Sequence, residues 1–224
     1  KSSRFCNFLK KDLISYNNFF TTKKNFDILN IKKMEKFIMK NKINYLIHIA
    51  GLSRPMSIHD KKINKSIDLN IIGTANLVKI CNNKNIKLIF FSTSYVYPGK
   101  KGNYRENDPL LPWNNYGWSK LGAESAVQMY KNSLIIRACM TEKPFVHKYA
   151  YSNVKSNFIF HDEFAKKFIK VLSKKGIVNI GGETNTIFNF AKKNNKYLKK
   201  IKSKGEFPLK MDMSLSRFKS LTRK

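Results

Sequence analysis

Apolar positions along the chain change their spacing several times, and each change marks a new element. Phe5, Phe8 and Leu9 recur at helical intervals, which predicts a helix over residues 2–11. Leu13 to Phe20 reads as a strand, and residues 25–30 close a second short strand. Residues 31–41 predict a helix with Met34, Phe37 and Ile38 on its buried side. The run over 44–50 is almost continuously apolar, as in strands covered on both faces. A helix over 63–82 carries Ile67, Ile71, Ala75 and Val78 inward. The run Leu88 to Phe91 is another buried strand and delivers Ser92, Thr93 and Ser94 at its carboxyl end. A loop over 98–115, a helix over 116–130 and a strand over 134–137 follow.

Beyond Arg137 this rhythm breaks. Residues 144–157 are aromatic, polar and irregular, which suits a substrate loop better than a sheet element. Residues 159–175 predict a strand end and a helix, 177–180 a short strand before Gly181 and Gly182, and 186–197 a further helix. The stretch 199–224 is strongly basic and is expected to be loosely held. Strands alternating with helices imply βαβ units, so the expected fold is α/β with a Rossmann-like, doubly wound parallel sheet.

Charge alters this picture only mildly. The 224 residues carry 44 Lys and Arg against 14 Asp and Glu, a formal net charge of +30. Such a balance can mark a nucleic-acid binder. The lysines are spread along the whole chain among Asn, Ile and Phe, however, instead of forming a stripe or tail, so nucleic-acid binding is the less favoured reading. A basic surface would equally attract a diphosphate-bearing ligand. Cys6, Cys81 and Cys139 form no C-x-x-C or Cys/His cluster, and His48, His59, His147 and His161 are scattered and read as structural. No metal site is expected. No apolar run is long enough for a membrane span and no signal-peptide core is evident, so the expected location is the cytoplasm, with no membrane partner.

The candidate chemistry lies in two adjoining stretches. Tyr116 and Lys120 are one helical turn apart, so a fixed ammonium can favour the phenolate over the phenol. The strand that ends in Ser92, Thr93 and Ser94 comes just before them, and carboxyl ends of strands are where open α/β sheets bind ligands.

These residues resemble the extended short-chain dehydrogenase/reductases, the superfamily of nucleotide-sugar epimerases, dehydratases and reductases, and within it the dTDP-4-dehydrorhamnose reductases and their relatives. Asp27-Ile28 resembles the pair that brackets adenine, and residues 47–51, ending in Ala50-Gly51, the strand that passes the cofactor. Residues 70–77 resemble N-x-x-G-T-x-N-L, and Ser92 to Tyr97 with Tyr116 to Lys120 resembles the catalytic motifs. His161 to Ala165 and Val178 to Gly182 match later blocks. The resemblance implies a proton exchanged between Tyr116 and the sugar oxygen, with Lys120 lowering the phenol pKa and reaching the nicotinamide ribose, and Thr93 polarising the same oxygen. It also implies cofactor contacts from Asp27, Ile28, Ala50, Gly51, Asn70, Ser92, Lys120 and Arg137, with a structural ion pair equally open for Arg137. Ser53, Arg54, Ser94 and Tyr149 are the candidate substrate contacts.

The implied division is an NAD(P)-binding domain over 1–137 and a mainly substrate-binding lobe over 138–224, with some elements returning to the sheet. The cofactor would be NADP(H) or NAD(H). Residues 15–24 offer no acid for a ribose 2′-hydroxyl, which leans towards NADP(H). The implied substrate is a nucleotide-activated sugar. A homodimer through the helices at 63–82 and 116–130 is common among such enzymes, and the oligomeric state is left open. One departure stands against these matches: the family's first strand and G-x-x-G-x-x-G turn have no counterpart, because Lys1 to Phe5 resembles the helix just after that turn. An amino-terminally incomplete enzyme is therefore expected, and the alternative is a non-catalytic Rossmann-like protein.

Overall fold

The computed structural model describes residues 4–223. It divides into two compact units that interleave along the chain. Unit 1 comprises Lys1–Ser92, Asn114–Ile136 and Lys174–Ile177, and unit 2 comprises Thr93–Trp113, Arg137–Ser173 and Val178–Lys224.

Unit 1 opens with α1 (Arg4–Asp12); the expected start of this helix at Ser2 lies outside the described residues. Helix α2 (Ile31–Asn41) has the predicted bounds because Asn30 Oδ1 accepts from Lys33 N at 3.0 Å and Lys42 ends it in the left-handed region. Strand β1 (Tyr45–His48) leads through two short helices, α3 (Ile58–Lys61) and α4 (Ile63–Ser66), into a π-helical turn at Ile67–Ile72 and then α5 (Gly73–Lys84). Strand β2 (Lys87–Phe91), helix α6 (Asn115–Gln128) and strand β3 (Ser133–Ala138) follow. With β8 (Gly176–Ile180) they form a four-stranded sheet in the order β1-β2-β3-β8. Both β1-β2 and β2-β3 are parallel, with His48 opposite Phe90 and Phe91 opposite Ile136. The core on one face of this sheet joins Met34 and Ile38 of α2, Leu77 and Ile80 of α5, Ala123 and Val127 of α6, and Leu88, Phe90 and Ile135 of the strands.

Unit 2 consists of short pieces. Its strands are β4 (Met140–Thr141), β5 (Tyr149–Tyr151), β6 (Lys155–Ser156), β7 (Ile159–Phe160), β9 (Asn185–Thr186) and β10 (Lys199–Ile201). They pair as β4 with β7, β5 with β10 and β6 with β9. Helices α7 (His161–Ile169), α8 (Ile187–Lys192) and α9 (Ser216–Thr222) complete it. Its core gathers Phe145, Ala150, Val154, Ile187, Ala191, Leu198 and Met211.

Several sequence expectations change. The segment 63–82 is not one helix, and Ile67 is exposed and Ile71 and Ala75 half-buried while Leu77 and Ile80 enter the core; residues 144–157 hold β5 and β6. Residues 13–20 and 25–30 are not strands: local bonds turn the chain instead, Tyr16 N donating to Leu13 O at 2.9 Å and Asp27 Oδ1 accepting from Leu29 N at 3.1 Å. Ile14, which an inward strand face would cover, is 85% exposed. The basic stretch from Lys199 is also not loose. It supplies β10, buries Met211 and Met213, and bonds in both directions with Tyr104, which donates to Asp212 O and accepts from Ser214 N. Finally, the helix expected over 186–197 ends at Lys192, and a bend led by Asn195 replaces its last turn.

Candidate functional site

Helix α6 starts where it does because Asn114 caps it, its Oδ1 accepting from Gly117 N at 2.8 Å. That cap places half-buried Tyr116 in the first turn, at the positive end of the helix dipole. One turn later Lys120 is 7% exposed, and its Nζ stands 4.1 Å from the centroid of the Phe90 ring on β2. Burial lowers the ammonium pKa from 10.5 to about 7, and Glu124 opposes that shift. At the carboxyl end of β2, Ser92 is buried and its Oγ has no protein partner.

A polar network holds this corner of unit 1. Asn70, in the π-helical turn, accepts from Leu52 N at 2.7 Å through Oδ1, and its Nδ2 donates to Leu52 O at 3.0 Å and to Ser119 Oγ at 2.8 Å. Ser119 Oγ in turn donates to Tyr116 O at 2.8 Å. Gly51 makes the close approach possible: at φ +153° its position for a Cβ would lie 2.9 Å from Asn70 Oδ1. Thr74 Oγ1 donates to Asn70 O at 2.7 Å and lies 2.9 Å from His48 Nε2, so the hydroxyl lone pair receives the imidazole N–H. A π-turn at such a point is a frequent mark of a functional site.

The other expected residues of unit 1 are spread more widely. Ile28 is buried against Gly73, and its carbonyl accepts from Asn76 Nδ2 at 3.1 Å. Asp27 lies 3.9 Å from Lys23. Ala50, Ser53 and Arg54 are exposed after β1.

Thr93, Ser94, Arg137 and Tyr149 belong to unit 2. Thr93 is buried and its Oγ1 accepts from Tyr95 N at 3.3 Å, capping the single 3-10 turn Ser94–Val96. Ser94 is fully buried with no partner for its Oγ, and Tyr149 is exposed on β5. Arg137 is 1% exposed, and its Nη1 donates to Tyr97 Oη and to Glu106 O, each at 2.9 Å. Tyr97 Oη donates to Asn179 Oδ1 at 2.9 Å, and Glu106 Oε1 accepts from Asn179 N at the same distance. Burial drives the Tyr97 phenol up to about 12 against the opposing pull of Arg137. Arg137 thus lies in a buried polar cluster with Tyr97, Glu106 and Asn179.

Sequence reasoning passed over Ser119, Thr74 and Glu106. Ser119 could have been found, since it faces Asn70 from within the Tyr116 to Lys120 turn. Glu106 sits in an irregular loop with no spacing to betray it. Among the described residues no group of three or more His, Cys, Asp or Glu could hold a metal ion, and no helix is long and apolar enough to cross a membrane.

Residues 8–158 match the family described as the RmlD substrate binding domain. The chain is 32% identical over 101 residues to methionine adenosyltransferase 2 subunit beta of Xenopus laevis, covering 45% of this chain and 30% of that protein. It is 28% identical over 179 residues to dTDP-D-glucose 4,6-dehydratase of Dictyostelium discoideum, covering 73% of this chain and 39% of that one. The chain thus spans well under half the length of these relatives. Its fold is that of a dTDP-4-dehydrorhamnose reductase of Bacillus anthracis solved in complex with NADP, with a TM-score of 0.84, 19% identity, and 97% of this chain and 88% of that chain covered.

Proposed function

Because the chain belongs to the RmlD substrate binding domain family, we propose that it acts as a reductase or epimerase of nucleotide-activated sugars with a nicotinamide cofactor, NADP(H) in preference to NAD(H). The observation that carries this reading is the placement of Tyr116 and Lys120 one turn apart on α6, with the lysine buried over the Phe90 ring of β2. Tyr116 gives a proton to the sugar oxygen or takes one from it. Negative charge on its phenol is stabilised by the amino-terminal end of α6 and by the Lys120 ammonium.

The residues present fit a nicotinamide nucleotide. Ser92 Oγ is a buried hydroxyl whose hydrogen-bonding capacity the protein leaves unused, and the Lys120 ammonium, housed over the Phe90 ring, offers a donor. When bound, the nicotinamide supplies or takes the hydride. Asp27, Ile28, Ala50, Gly51, Asn70 and Ser92 are the proposed cofactor contacts, and Thr93 is the proposed hydroxyl partner of the reacting oxygen. The lean to NADP(H) follows from Lys23 and Lys24 in a region without an acid. Ser53, Arg54, Ser94 and Tyr149 are proposed to meet the nucleotide-sugar.

The test is a fluorescence titration of the full-length protein with NADPH, followed by turnover of dTDP-4-dehydrorhamnose. Tyr116→Phe should abolish turnover and leave the NADPH Kd nearly unchanged; undiminished turnover in that variant would overturn the assignment. A second reading, a subunit that acts by binding a partner protein, is supported by the similarity to methionine adenosyltransferase 2 subunit beta. A parent protein that binds NADPH yet fails to turn over any nucleotide-sugar would favour it.

A further inference from the structure

Beside Tyr116 stands a histidine that the proposed chemistry does not use. His59, in α3, is 1% exposed, and its ring centroid lies 5.1 Å from that of Tyr116 with the planes tilted by 55°. Its Nδ1 is 2.7 Å from Ser66 Oγ at the end of α4, and its Nε2 is buried without a hydrogen-bond partner. The neighbouring Asp60 Oδ1 accepts from Asn115 Nδ2 at 2.7 Å. Consecutive residues of α3 therefore hold consecutive residues of α6, Asp60 through Asn115 and His59 through Tyr116.

An imidazole nitrogen buried without a partner is a cost that Phe or Leu would avoid if the position served packing alone. The separation and tilt fall within the range of favourable aromatic pairs. Ser66, by binding Nδ1, fixes the rotation of the imidazole, and the imidazole then limits the rotation of the phenol. The backbone of the same tyrosine is held independently, through Ser119 and Asn70. Both restraints on Tyr116 come from the segment between β1 and α5.

We infer that His59, oriented by Ser66, is a positioning residue that sets the plane and reach of the Tyr116 phenol. The inference rests on the proposed role of Tyr116. A proton-transfer group needs its oxygen placed to within a fraction of an ångström, and a misplacement of about 1 Å can lower a rate by about 10²-fold.

Turnover by four variants of the full-length protein tests it: His59→Ala, His59→Phe, Ser66→Ala and Tyr116→Phe. With NADPH and dTDP-4-dehydrorhamnose, His59→Ala should lower kcat by about 10- to 100-fold while both KM values and the NADPH Kd stay within about twofold. His59→Phe, which restores an aromatic plane, should recover most of that loss, and Ser66→Ala should cost a few-fold in kcat. A histidine that only stabilised the fold would lower the melting temperature and leave kcat of the folded fraction intact. Unchanged kcat in His59→Ala, or in Ser66→Ala should the alanine variant fail to fold, overturns the inference; so does a phenylalanine variant as slow as the alanine one. Undiminished turnover in Tyr116→Phe would instead bring down the reading of the site. A check independent of turnover is the proton NMR signal of His59 Cε1–H, assigned by its loss in His59→Phe. The Tyr116 ring should shift it upfield and Tyr116→Leu should reverse the shift, whereas a signal indifferent to Tyr116→Leu overturns the contact.

Discussion

The Lys120 ammonium nitrogen lies 4.1 Å from the centre of the Phe90 ring, so a cation one turn from Tyr116 is housed against the face of a core strand. The ring compensates only part of what water supplied, and the pKa falls to about 7. Below pH 7 both folded and unfolded chains carry this proton, and the folded state bears the full cost of burying the charge. Between pH 7 and 10.5 only the unfolded chain holds it, so stability contributed by this residue rises with pH at up to about 1.4 kcal/mol per unit. Lys120→Met should therefore be more stable than the parent at pH 6, with the difference shrinking towards pH 10 and turnover lost throughout. Urea midpoints of both proteins at the two pH values measure this, and a gap that does not close would contradict it.

His48 should produce the opposite feature on the acid side. Burial above all, with Lys120 adding to it, lowers its pKa from 6.5 to about 3. Between those values the unfolded chain takes up a proton that the folded chain refuses, so stability falls as pH drops from 6.5 to 3 and is flat above that window. His48→Phe should flatten this acid slope. Thr74→Val should cost about 1–3 kcal/mol at pH 7, because it leaves the Nε2–H without its acceptor. Chemical denaturation at pH 7 and pH 4 distinguishes the two variants.

Gly51 and Asn70 should behave as one unit. A methyl group at residue 51 meets Asn70 Oδ1 at 2.9 Å, and that oxygen cannot retreat without releasing Leu52 N. Gly51→Ala should lower stability by about 1–3 kcal/mol, since both the φ of +153° and the contact oppose it. In an Asn70→Ala background the same substitution should cost measurably less, and a double-mutant cycle by thermal melting reads the coupling. Additive losses would mean that the two positions do not constrain each other.

How much of this was legible depends on where each signal is stored. Met34 and Ile38 announced α2, and Asn30 and Lys42 ended it locally, so its bounds agree with the spacing. Strands β2 and β3 were readable because their apolar runs are long and bounded by polar turns. Residues 13–20 have the composition of a strand but form no ladder among the described residues, and composition does not report the neighbour that a strand requires. The tail misled for the reverse reason: its lysines dominate the count, while the placement of Met213 depends on Tyr104, over a hundred residues earlier, and that of Met211 on Lys155. Tyr116 and Lys120 were visible through helical spacing. His59 was not, because its meaning comes from Ser66 and Tyr116, two partners on other helices.

Arg137 offers the sharpest contrast between a ligand contact and a structural hub. Its guanidinium bonds Tyr97 and Glu106, and Asn179 closes the cluster by binding Tyr97, Glu106, Tyr104 O and Ser214 O. Arg137→Met would leave two buried oxygens, Tyr97 Oη and Glu106 O, without their guanidinium donor, at about 1–3 kcal/mol for each. Tyr97→Phe should cost less, about 1–3 kcal/mol, since Arg137 keeps Glu106 O and only Asn179 Oδ1 loses a donor. Arg137→Met melting below Tyr97→Phe, with NADPH affinity following the folded fraction alone, is the expected result. A large fall in NADPH affinity in a variant that melts like the parent would instead make Arg137 a cofactor ligand.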